Sequence, residues 1–80
     1  MKRVITYIPE IRGCYGMRIW VPAEDRELIA FIKPICLWGG HTDHRKTADS
    51  YEVLYELPCN VENNFLWKLA CNRLNIEFVR

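Results

Sequence analysis

The sequence predicts an α+β domain of β-β-α-β-α-β order, with a mainly antiparallel sheet and helices on one face. Three observations predict it. Residues 51–57 alternate cleanly, with Tyr51, Val53, Tyr55 and Leu57 on one face and Glu52, Leu54 and Glu56 on the other. Trp67, Ala70, Cys71 and Leu74 recur at i, i+3, i+4 and i+7, the period of an amphipathic helix. Pro9, Pro34, Pro58 and two pairs of glycines punctuate the chain between such segments. At 80 residues, half of them hydrophobic, the chain has material for one domain (1–80) and one modest core.

In chain order, Arg3–Ile8 is rich in β-branched and aromatic residues and reads as a strand blunted by Pro9. Gly13 and Gly16 supply a turn, and 17–21 follow as the second strand of a hairpin. Met17, Ile19 and Val21 share one face of it; Arg18 and Trp20 share the other. Pro22, Glu24 and Asp25 mark a helix start. Leu28, Ile29, Phe31 and Ile32 then repeat at helical spacing until Pro34 stops the helix near Lys33. So continuous an apolar run also fits a strand over 28–38, and periodicity alone does not choose.

Residues 39–50 are the long polar stretch and read as a loop, a feature more often functional than incidental in a small domain. After strand 51–57, Pro58 and the N-cap candidate Asn60 open a helix over 60–74, with Glu62 in its first turn. It leads into a final strand over 76–80. At about 100° per residue, Leu66, Trp67, Ala70, Cys71 and Leu74 form the expected core face. Val61, Phe65 and Leu69 form a second apolar stripe beyond Glu62 and Arg73. This stripe is the first candidate for contact with a partner protein or a second copy of the chain.

Composition narrows function. The net charge of +1 comes from 11 basic and 10 acidic residues dispersed along the chain, whereas a nucleic-acid binder shows a basic stripe. The cysteines, at 14, 36, 59 and 71, have no CxxC spacing, and no secretory signal opens the chain. Reduced thiols in a cytoplasmic protein are expected, and no apolar run is long enough to span a membrane.

Candidate chemistry is sparse. His41, Asp43 and His44, with Cys36 or Cys59, offer metal donors without a regular ligand spacing. Cys14 between glycines suggests a small Cys/His enzyme only if a histidine folds against it. Neither arrangement is specific enough to displace a hydrated loop and an ordinary thiol, so no catalytic residue and no cofactor are expected. His44, Arg45 and Lys46 near Trp38 suit backbone contact and base stacking on a nucleic acid, with Glu52 and Glu56 opposing it. The aromatic residues carry more. Trp20 and Trp38 join Val61, Phe65 and Leu69 as partner-binding candidates, because large rings anchor protein interfaces at small entropic cost. The expected function is therefore a non-enzymatic protein-binding module that occupies a partner's surface stoichiometrically. Inhibitors and accessory factors of phages and mobile elements belong to that class. The second expectation is a nucleic-acid or metal module centred on 39–50.

Overall fold

Alternating apolar residues build a five-stranded sheet on whose inner face two helices rest. The computed structural model describes residues 2–8 and 17–79, with Glu62 described by its backbone alone. The strands are β1 (Arg3–Ile8), β2 (Arg18–Pro22), β3 (Asp43–Lys46), β4 (Tyr51–Glu56) and β5 (Ile76–Val79); the helices are α1 (Arg26–Ile32) and α2 (Phe65–Leu74). The strand order across the sheet is β3-β4-β2-β1-β5. All pairings are antiparallel except β1 with β5, which is parallel. The predicted element order holds, with β3 as an additional strand inside the polar stretch. The turn expected at 12–16, the blunting Pro9 and Cys14 lie outside the described residues.

Register fixes the faces. Ile19, Val53, Tyr55 and Ile5 turn toward the helices, where they are buried with Leu28, Ile32, Leu57 and Leu74. Trp67 stacks on Phe78 with ring centroids 5.4 Å apart, which sets α2 over β5. Among the described residues no helix covers the opposite face, which carries Val4, Thr6, Trp20 and Glu52.

Helix boundaries follow local hydrogen bonding. Asp25 caps α1 by accepting from the Leu28 amide at 3.3 Å, and Pro34 ends it, so helix prevails over strand in this run. The 60–74 helix is shorter than its sequence suggests. Asn64 is the N-cap, its side-chain oxygen accepting from the Leu66 and Trp67 amides at 2.8 and 3.3 Å, whereas Asn60 makes no side-chain cap. Residues 61–63 form a separate 3₁₀ turn. That break shifts the helical phase, so Val61 turns into the core at 2% exposure and leaves the stripe of Phe65 and Leu69. Leu66, expected on the core face, is 41% exposed; it stands at the rim of the arc centred on Trp67, Ala70 and Leu74. Asn75 closes α2 in the left-handed conformation (φ 52°) that Asn tolerates, and turns the chain into β5.

One guanidinium ties the ends together. Arg3 donates from Nε to Asp25 at 2.9 Å, from Nη2 to Glu27 at 2.8 Å and from Nη1 to the Leu74 carbonyl at 3.0 Å. It thus joins the start of β1 to the acidic N-terminus of α1 and the electronegative C-terminus of α2. The hydrogen bond to Asp25 is the main cause of its raised pKa.

Two outcomes are expected. Arg3→Met should cost about 1–3 kcal/mol in chemical denaturation, because a partly buried carboxylate and carbonyl lose their donor; a loss under about 0.5 kcal/mol would make the clamp idle. Trp67→Ala should cost about 3–5 kcal/mol, whereas Leu66→Ser should stay within about 1 kcal/mol. Equal losses in the same denaturation assay would return Leu66 to the core.

Candidate functional site

The polar stretch is organised by β3, whose alternation splits its side chains between two faces. Asp43 and Arg45 pair with Leu54 and Glu52 on the open face of the sheet. His44 and Lys46 pair with Val53 and Tyr51 on the helix side. The loop candidates His41, Asp43, His44, Arg45 and Lys46 are therefore not one cluster. Among the described residues no three His, Cys, Asp or Glu side chains gather as metal donors. Arg45 instead ion-pairs with Glu52 at 2.7 Å and lies 4.3 Å above the Trp20 ring. That guanidinium occupies one face of Trp20, and the ring is half-buried.

On the helix side, a groove of about 560 Å³ runs between α1 and β4. Tyr51, Val53 and Tyr55 form its floor; Arg26, Ile29, Ala30 and Lys33 form the α1 wall; His41 lines it as well. Arg26, Ala30 and Lys33 stand at i, i+4 and i+7, one flank of the helix beside the core-facing Leu28 and Ile32. His44 stacks on Tyr51 (5.8 Å, 26°) and His41 meets Tyr55 edge-on at 6.2 Å. Tyr55 is buried, and that burial, with the nearby Cys36 thiol, raises its pKa, so its phenol remains a neutral donor at physiological pH.

The electrostatics are one-sided. Among the described residues no Asp or Glu lines the groove. Asp25 and Glu27 are held by Arg3, and Glu52 by Arg45. Among the described residues, Arg26 and Lys33 make no ion pair. The groove therefore sets two cations beside an apolar, aromatic floor, an arrangement complementary to an anionic, partly apolar surface.

Trp38 sits in the connection between Lys33 and His41. It is 64% exposed and takes a left-handed backbone (φ 66°) that is followed by left-handed Gly39 (φ 73°). A bulky residue in that region costs about 1–2 kcal/mol. Phe65, at 74% exposure, remains a surface ring on α2, with Leu66 and half-buried Leu69 beside it, Arg73 within that arc and Lys68 at its margin. Of the sequence candidates, His41 lines the groove and His44 lies against its Tyr51, whereas Trp20, Asp43, Arg45, Val61, Phe65 and Leu69 stand elsewhere. Arg26, Ile29, Ala30 and Lys33 were not singled out as a site. Their signal was the pair of basic residues seven apart on a helix that also carries a core stripe.

Cys36 and Cys71 are half-buried thiols whose pKa values burial pushes up. These groups, like Tyr55, are neutral when protonated, and the folded protein keeps their protons to higher pH than the unfolded chain. Stability is then whole below the ordinary thiol range and declines as pH rises through it. Thermal melts from neutral to alkaline pH should show that decline, and Cys36→Ala with Cys71→Ala should flatten its first part; a midpoint that rises with pH would contradict the account.

No family model, curated protein or solved structure matches this chain, so the groove is interpreted from its own chemistry.

Proposed function

We propose that the protein is a non-enzymatic binding module that acts by stoichiometric occupation of a partner protein's surface, and that the groove between α1 and β4 is the surface it uses. The observation that carries this is the pairing of an apolar, aromatic floor with two cations that form no ion pair among the described residues. Aromatic side chains and arginine are the groups enriched where binding energy concentrates, and Tyr51, Tyr55 and Arg26 converge here. The lining holds neither a thiol nor a carboxylate, and its polar groups suit the holding of an anionic surface better than attack on a substrate. The stacked His44–Tyr51 pair beside Lys46 favours one other occupant, a single-stranded nucleic acid.

The test uses the full chain with a photo-reactive amino acid at Ala30, cross-linked in its native cells. A discrete protein adduct is expected, resistant to nuclease and lost when Arg26→Glu and Lys33→Glu are introduced together. Circular dichroism should show that the double variant remains folded. A nuclease-sensitive adduct would replace this reading with the nucleic-acid one. An adduct of unchanged intensity in the double variant would place the contact outside the groove.

A further inference from the structure

We infer that the occupant of this groove is an acidic amphipathic helix of the partner protein, seated beside α1 as a third helix on the sheet. The inference rests on the proposed binding reading and makes it specific. Width comes first. Helices pack about 8–10 Å apart, and strands lie about 4.8 Å apart, so a helix next to α1 lies two strand spacings further on, along the β4–β3 ribbon. There the inward-facing side chains of β4, Tyr51 and Val53, form the groove floor, and Tyr51 is 49% exposed.

Backbone chemistry comes second. The groove is open on a sheet face, not at a strand edge. An extended peptide laid there would leave backbone amides and carbonyls facing apolar side chains. A helix satisfies those groups internally and presents only side chains.

Charge supplies the third constraint. Arg26 and Lys33 stand seven residues apart, about 10.5 Å along the axis of α1. Carboxylates at i and i+7 of a neighbouring helix repeat that spacing, and apolar residues at i+3 and i+4 between them would meet the exposed ring of Tyr51. The chain's own exposed helix face is a poor substitute. The arc of Phe65, Leu66 and Leu69 contains Arg73 and is bordered by Lys68, which would bring cations against cations.

The experiment is an unbiased selection of displayed 18-residue random peptides on the intact protein. Enriched sequences should carry acidic pairs seven apart around an apolar i+3/i+4 core. A resynthesised peptide should become helical on binding, lose at least tenfold affinity to Arg26→Glu with Lys33→Glu, and weaken several-fold between 50 and 500 mM salt. The milder Arg26→Gln with Lys33→Gln serves if the reversal variant does not fold. Enriched peptides without acidic pairs, peptides that bind extended, peptides indifferent to the variants, or an empty selection would each overturn the inference. A labelled dT20 that competes for the groove would do so too. If Ala30 still cross-links a protein while the selection fails, the binding module stands and its occupant is of another kind. A nuclease-sensitive adduct removes both.

Discussion

The governing constraint is one of coverage: helices of 7 and 10 residues must shield one face of a sheet of five strands. A helix about 10 Å wide shades about two strands set about 4.8 Å apart. Two helices therefore shade four strands at most. The stacking of Trp67 on Phe78 and the Arg3 clamp place α2 at the β5 side and draw the N-terminus of α1 toward it. The shortfall then accumulates at the other end, over β3 and the outer flank of β4. The groove follows from where the helices are pinned.

Charge is sorted by the same geometry. A net charge of +1 with dispersed basic residues gives no hint of a basic surface. Folding separates the signs because successive residues of a strand point to opposite faces. Along β3, Asp43 and Arg45 go to the open face, and His44 and Lys46 go to the groove side. Along β4, Glu52 and Glu56 go outward while Tyr51, Val53 and Tyr55 turn in. Of the acids at the start of α1, Asp25 and Glu27 are drawn off by Arg3. The described lining of the groove then carries Arg26 and Lys33 without a carboxylate, although the chain as a whole is close to neutral.

This separation explains how much was legible beforehand. The element order, β1, the β4 alternation and the Trp67–Leu74 core face all follow from periods of 2 and 3.6, which a sequence displays directly. The start of α2 did not follow. Asn60 and Asn64 are the same residue type, and only backbone geometry decides which side chain reaches the amides two and three residues on. The error at that cap carried Val61 to the wrong face, whereas Leu66 stands at the rim of the core arc whichever residue caps the helix. The β3 strand was missed because four consecutive polar residues at a sheet edge carry no apolar alternation. Placing His41 through Lys46 together on one loop followed from the same omission. The groove needs contacts between α1 and β4, which lie far apart in the chain, so no local pattern announces it.

The vacancy is also topological. Between α1 and β3 the chain has only residues 33–42, spent on the Pro34 stop and the left-handed corner at Trp38 and Gly39. Between β3 and β4 it has residues 47–50, tied by Thr47 to Ser50. Neither connection is long enough to supply a helix of its own over the β4–β3 ribbon. The chain's next helical segment, α2, comes after β4 and is committed to the opposite side through Trp67 and Leu74. Among the described residues no helix reaches over Tyr51, which stays 49% exposed and open to another molecule. The cations on the flank of α1 favour a molecule that brings carboxylates.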